Sequence, residues 1–590
     1  MISVLGMNRL GINWSGTVKI RSWTRNFTQF QRIRGPSGSL RSGFHTRPHP
    51  TKSFTSATSV TGLPSLPRTL ATSSSSSSPS LSPSTTTPQL SFPCLDRLEQ
   101  KTQDLQNSCY NENINSLNGG PEPFYSRVHT GFETFKSSLP IFLDYGGYLP
   151  EYELAYESWG KLNDAKTNLI LLHTGLSASS HAKSHSSNSK PGWWEDFIGP
   201  GKYLDTDKYF IVCTNVLGGC YGSTGPSSIN PLTGTPYGTT FPILSINDMV
   251  RAQRELVRDE FGVSKLFATV GASMGGMQSL AFGHEFPDEV EKVVSISACA
   301  RSSPSSIALR HTQRQVLMSD PNWKRGFYYD KVPPHVGMKL AREIATITYR
   351  SGPEWDTRFG RKRADEDRPP ALCPDFLVET YLDHAGEKFC LEYDANSFLY
   401  VLKAMDLFDL GHGNRTKAQE VRRKSLREYH ETVESLVSKK SGPQKVALTT
   451  LSPETLTINT QSETLGASTD SSSCSSKPPS KPPYQSLPSE PYKEKVTSAT
   501  IDQQDSFADL VRGMETLADK DVLVIGVESD ALFPSRQQQE IHRCLKESAG
   551  RGDLRYAELS TDISVYGHDT FLLSLDHIGG PVRDFLTNRQ

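Results

Sequence analysis

Gly271-Ala272-Ser273-Met274-Gly275 fits the pattern Gly-x-Ser-x-Gly, which puts a serine between small residues on a tight turn. A serine hydroxyl is a weak nucleophile and needs a base, and the base needs a group to orient it. Chains that use this turn carry their partners in the order serine, acid, histidine. Asp530 follows the apolar run "DVLVIGVES", and His568 comes some forty residues later in "DISVYGHDTFLL". Glu528 competes with Asp530 for the acid's place. It falls further inside the run, whereas Asp530 stands where a loop begins, so Asp530 is the expected orienting acid. An oxyanion formed at the attacked carbonyl needs backbone N–H donors. Met274, just after the nucleophile, and Leu176, in the loop after "LILLHTG", are the expected pair. His173 precedes the nucleophile and is read as shaping that loop. Asp569 sits before "TFLLSL", where it can cap a helix and also face a substrate.

These residues need a scaffold of strands and helices. Short runs rich in Val, Ile and Leu read as buried strands at 167–175, 208–218, 265–273, 290–298 and 521–530. Helical spacing appears at 245–261 and 274–287 between them. This alternation predicts an α/β fold, with a mostly parallel sheet covered by helices on both faces. The strand at 265–273 runs into Ser273 and a helix starts at once, so the nucleophile lies at a helix N-terminus. Residues 301–437 hold helical patterns such as "FLYVLKAMDLFDL" and no convincing strand. They read as a helical lid inserted into the core, a device that keeps water from a site.

Composition sets the remaining boundaries. Residues 1–95 contain no Asp or Glu and about ten Arg and Lys among many Ser and Thr, the composition of a mitochondrial presequence and also of a basic disordered tail. Without them the net charge of −1 becomes about −11, an acidic body that argues against nucleic-acid binding. No run approaches the ~18–20 apolar residues of a membrane span, so a soluble protein is expected. Nine cysteines lack a metal-ligand spacing and read as buried free thiols, with neither metal nor disulfide framework implied. A linker is expected over 96–130, a first core segment over 131–300, and a second over 501–590. Between lid and second core, 438–500 is rich in Pro, Ser and Thr and reads as a disordered surface insertion.

The stretches "NVLGGCYGSTGPSSINP", "VGASMGGMQSLAF", "SACARSSPSSIALRHTQRQ", "DANSFLYVLKAMDLFDLG", "IGVESDALFP" and "YGHDTFLL" come in an order that resembles the homoserine O-acetyltransferase family and its serine O-succinyltransferase and serine O-acetyltransferase relatives. The resemblance runs from about residue 135 to the C-terminus and implies the α/β-hydrolase fold. It implies a two-step acyl transfer from acyl-CoA, a co-substrate, with no bound cofactor. Ser273 would take the acyl group, His568 would act as base and then acid, and Asp530 would orient the imidazole. It also implies that Arg314 holds an amino-acid carboxylate and Asp569 its ammonium group. A homodimer is one assembly it admits.

Homoserine acetyltransferases usually carry a "HALTGD"-like loop after the first core strand. Here the loop reads "HTGLSASSHA" and is followed by "PGWWEDFIGPGK", a form that looks like the serine O-succinyltransferase branch. The expectation is a mitochondrial serine O-acyltransferase of cysteine synthesis, with succinyl-CoA as donor and acetyl-CoA still open. Homoserine O-acetylation for methionine synthesis and a serine esterase or thioesterase are the alternatives.

Overall fold

The β-branched and aliphatic runs do become strands, and their alternation shows why they are buried. In a computed structural model, which describes residues 91–111, 130–440 and 503–588, eight strands form one sheet. They are β1 (Glu133–Ser137), β2 (Tyr152–Trp159), β3 (Leu169–His173), β4 (Phe210–Thr214), β5 (Leu266–Ala272), β6 (Val290–Ile296), β7 (Asp521–Val527) and β8 (Leu554–Leu559). Their spatial order is β1-β2-β4-β3-β5-β6-β7-β8. Only β2 runs against the others. Along β3, Leu169 and Leu171 join one core while Ile170 and Leu172 join another, so successive side chains feed opposite faces. The first core packs against α2 (Ile246–Phe261) and α3 (Met274–Glu285), through Met249, Val250, Met277 and Leu280. The second packs against Trp193, Trp194 and the last two helices, α12 (Thr570–Leu573) and α13 (Leu575–Thr587).

Six of the described α-helices lie between β6 and residue 440, ahead of β7, the sheet neighbour of β6: α4 (Pro304–Met318), α5 (His335–Tyr349), α6 (Gly352–Arg358), α7 (Leu377–Phe389), α8 (Ala395–Asp406) and α9 (His412–Lys440). They have a core of their own, built on Leu317, Tyr328, Met338, Phe389, Tyr393 and Phe398. After the undescribed stretch, α10 (Gln503–Met514) leads into β7, and α11 (Ser535–Glu547) joins β7 to β8. No described helix is long and apolar enough to cross a membrane.

Two expectations differ from the structure. The linker expected over 96–130 begins inside a helix, α1 (Pro93–Asn111). Arg97 bonds Asp383 at 2.5 Å, Lys101 bonds Glu387 at 2.6 Å, and Thr102 meets His335 at 2.9 Å, so lid contacts order a segment with little apolar surface. The cysteines are not all free thiols either: Cys94 and Cys373 form a disulfide between the start of α1 and the lid. They are separated by 279 residues, so no short spacing could have revealed the pair. The basic segment over 1–95 lies outside the described residues up to residue 90, and the insertion over 438–500 does so from residue 441.

Candidate active site

The turn after β5 explains the small residues around Ser273. A side chain on Gly271 would meet the Gly275 carbonyl at 2.1 Å, and one on Gly275 would meet the His173 carbonyl at 2.5 Å. Strand, turn and helix can close on each other only without those carbons. Ser273 itself takes φ 60°, ψ −128°, a costly conformation for a residue with a Cβ and one that concentrates at functional sites. It is held there because its N–H donates to the Ile296 carbonyl at 2.9 Å on the neighbouring strand.

His568 and Asp530 arrive from the ends of β8 and β7. His568 Nε2 lies 2.8 Å from Ser273 Oγ, and His568 Nδ1 lies 2.6 Å from Asp530 Oδ2. The Asp530 Oδ1 accepts the N–H groups of Leu532 and Phe533, both at 2.9 Å. An ionised carboxylate only accepts, so Nδ1 carries the imidazole proton and leaves the Nε2 lone pair for the serine hydroxyl. The ring is clamped by Phe533, stacked at 5.3 Å, and by Phe571, edge-on at 5.4 Å. Glu528, the competing acid, is exposed and accepts from the Thr561 N–H and hydroxyl instead.

The two expected oxyanion donors lie on adjoining segments. Gln278 of α3 donates to the Thr174 carbonyl at 2.9 Å, and Gly275 backs onto His173, so the loop carrying Leu176 is tied to the first turn that carries Met274. The Leu176 N–H has no backbone acceptor among the described residues. His173 is wholly buried and its ring meets Thr269 Oγ1 at 2.5 Å; burial pushes its pKa down to about 3, so it stays neutral and packs.

The same loop is braced from beyond by Glu157 of β2, which accepts from His181 Nδ1 and His185 Nε2 at 2.7 Å each and from Ser180 at 3.0 Å. Glu157, His181 and His185 are also a group that could hold a metal ion. Every ring nitrogen already has a protein partner, however, since His181 Nε2 faces the Lys190 carbonyl and His185 Nδ1 accepts the Ser187 N–H. Burial opposes a charge on His181, but the Glu157 carboxylate and the Lys190 carbonyl outweigh it and raise its pKa. An imidazolium–carboxylate brace accounts for the cluster.

Asp569 follows the histidine directly and is almost completely buried. It does not cap α12: neither carboxylate oxygen has a hydrogen-bond partner among the described residues. Burial raises its pKa above the ordinary carboxylate value, although the charges of Arg350, His568 and Arg342 pull the other way. A buried carboxylate that accepts no hydrogen bond is costly, and Arg350 Nη2, 3.7 Å from its Oδ2, offsets only part of that cost. Arg314 has its Nη1 2.5 Å from Asp406 Oδ2 on α8. Arg310, one helical turn earlier, meets the other oxygen of Asp406 at 2.6 Å. The i, i+4 spacing of the two arginines on one helix face was a readable sign of this pair. Asp406 gave no such sign, because only the fold brings α8 to α4.

Comparison with known proteins adds relatives to this geometry. A family model described as alpha/beta hydrolase fold matches residues 168–546. The chain is 56% identical over 517 residues to a serine O-succinyltransferase of Emericella nidulans, covering 86% of this chain and 90% of that protein. It is 48% identical over 518 residues to a serine O-succinyltransferase of Schizosaccharomyces pombe, covering 85% and 95%. A homoserine O-acetyltransferase of Moorella thermoacetica is 35% identical over 454 residues, covering 77% and 95%. Among solved structures, a homoserine O-acetyltransferase from Bacillus anthracis aligns with a TM-score of 0.55 at 22% identity, over 78% of this chain and 98% of that one, a likeness of fold.

Proposed function

The chain belongs to the α/β-hydrolase fold family, among the serine O-succinyltransferases and their homoserine O-acetyltransferase relatives, and on that premise we propose that it transfers a succinyl group from succinyl-CoA to the hydroxyl of L-serine. One observation carries the amino-acid acceptor: directly beside the base of the Ser273–His568–Asp530 relay lies a buried carboxylate, Asp569, that accepts no hydrogen bond among the described residues. Water as acceptor has no use for such a group. An amino acid brings the ammonium that it lacks.

Ser273 Oγ attacks the thioester carbonyl while its proton passes to His568 Nε2. The C–S bond breaks, His568 returns the proton to the departing sulfur, and CoA leaves as a thiol. The acyl group is then an ester on Ser273. L-Serine enters with its ammonium on Asp569 and its carboxylate on Arg314. His568 takes the proton of its hydroxyl, the new ester forms, and Ser273 Oγ leaves with that proton. Asp530 holds the imidazole in the right tautomer throughout and stabilises its charged form. The N–H groups of Leu176 and Met274 meet the oxyanion in both steps. The helices over the sheet keep water away from the acyl-enzyme. Acyl-CoA is a co-substrate, and the chemistry requires no bound cofactor.

The preference for serine and succinyl-CoA rests on the two serine O-succinyltransferase relatives and on the "HTGLSASSHA" loop. Purified enzyme given serine or homoserine with succinyl-CoA or acetyl-CoA tests it, with CoA release followed by a thiol reagent. Serine with succinyl-CoA should give the highest kcat/KM. A higher value for homoserine with acetyl-CoA overturns the preference, and equal release without any acceptor overturns the transferase. We place the enzyme in mitochondria, as the acid-free basic start supports. Residues 1–95 fused to a fluorescent reporter should carry it there, and a cytosolic signal contradicts the placement.

A further inference from the structure

Asp569 has a neighbour that the sequence did not single out. Arg350 follows α5 directly, its side chain is fully buried, and its Nη2 stands 3.7 Å from Asp569 Oδ2. That is ion-pair distance without a hydrogen bond, so the carboxylate feels the charge and keeps its lone pairs. The guanidinium is fixed from two other sides: Nη1 bonds Glu354 in the first turn of α6, and Nη2 donates to the Tyr381 hydroxyl of α7 at 2.8 Å. The backbone around it grips the loop that carries the base. The Ser351 hydroxyl donates to the Val565 carbonyl, and Gly567, at φ 58°, lies so close that a Cβ would meet Ser351 N at 2.9 Å and the Tyr349 carbonyl at 3.0 Å.

We propose that Arg350 is a positioning residue for acceptor recognition, holding the Asp569 carboxylate ready for the ammonium group of the incoming amino acid. The proposal rests on the transferase reading above. It explains why a buried carboxylate persists without a hydrogen bond. A guanidinium at 3.7 Å supplies charge compensation. Because it donates no hydrogen bond, it leaves both oxygens open to the substrate. The charged and titratable groups facing Asp569 are His568 beside it, Arg342 and Tyr349 from α5, Arg350, and Glu354 from α6. Of the cations among them, only Arg350 forms an ion pair with it.

The test compares the wild type with Arg350→Gln, Arg350→Lys and Tyr381→Phe, following serine-dependent CoA release from succinyl-CoA between pH 5 and pH 9. Arg350→Gln should raise KM for L-serine by about tenfold or more, with a smaller change in kcat at saturating serine. Removing the positive charge raises the Asp569 pKa, so the acid limb of kcat/KM for serine should move to higher pH. Arg350→Lys should recover part of both. Tyr381→Phe, which loosens the guanidinium but keeps its charge, should raise KM by about two- to fivefold; it decides the matter if Arg350→Gln fails to fold. A serine KM and acid limb like the wild type in the folded variant overturn the proposal, as does a loss confined to kcat. A wild type that releases CoA equally without serine overturns the transferase reading itself.

Discussion

Replacing Asp530 by Asn should disable the enzyme through one misplaced proton. The carboxylate has two distinct sides: Oδ1 accepts the Leu532 and Phe533 N–H groups, and Oδ2 meets His568 Nδ1 at 2.6 Å. An amide must choose which side receives its NH2. Facing the two backbone donors would leave them buried and unpaired, at about 1–3 kcal/mol each. The NH2 therefore turns to His568, whose Nδ1 must then accept. The ring proton moves to Nε2, opposite Ser273 Oγ at 2.8 Å, and no base remains for the serine proton. Wrong-tautomer variants of such relays lose about 10⁴-fold in kcat, about 5 kcal/mol of barrier. The assay is CoA release from succinyl-CoA at saturating L-serine, with a thermal melt to show that the variant is folded. Glu528→Gln is the control and should stay within about twofold, since that side chain is exposed. An Asp530→Asn enzyme that keeps a tenth or more of wild-type kcat refutes this reasoning.

Other perturbations follow from the same geometry. Asp569→Asn should raise KM for L-serine by about 10- to 150-fold, the loss of one hydrogen bond to a charged group. The same substitution should stabilise the fold by on the order of 1 kcal/mol near neutral pH, read by urea unfolding, because it removes a buried carboxylate that accepts no hydrogen bond and whose burial outweighs the nearby Arg350 charge. The sign follows from linkage: with its pKa raised in the fold, Asp569 favours the folded state only while protonated. That contribution is present below the ordinary carboxylate pKa and is lost as pH rises through the raised value. Gly567→Ala should cost about 1–3 kcal/mol in a thermal melt and lower kcat, since φ 58° and the Tyr349–Ser351 backbone leave no room for a methyl beside His568. Arg310→Met strands much of the Asp406 charge in the lid core and should destabilise the enzyme by about 3–5 kcal/mol, with a matching fall in the urea midpoint.

The nucleophile was readable because its requirements are local. A strand, a turn of small residues and a helix are contiguous in sequence, so Gly271, Ser273 and Gly275 carry the geometry themselves. Asp530 and His568 were readable from chain order and from their places after apolar runs. Five of the eight strands stood out as apolar runs for the same reason. β8 was missed because an edge strand, "LRYAEL", mixes Arg555 and Glu558 into its pattern, and β2 because "YELAYESW" buries a charged Glu157 that His181 neutralises. Arg350 and Asp406 were beyond reach, because their partners lie on other elements and only tertiary packing brings them together. α1 was hidden because ion pairs and a disulfide to the lid order it, with little apolar surface to mark it.

The central claim is that the acyl group rests on Ser273 and leaves to an amino-acid hydroxyl. Enzyme mixed with succinyl-CoA and no acceptor, then quenched and digested, should show a succinyl group on the peptide carrying Ser273 by mass spectrometry. Adding L-serine before the quench should clear that peptide and yield O-succinylserine in equal amount. An adduct absent from Ser273, or one that decays to free succinate at the same rate with and without L-serine, contradicts the account.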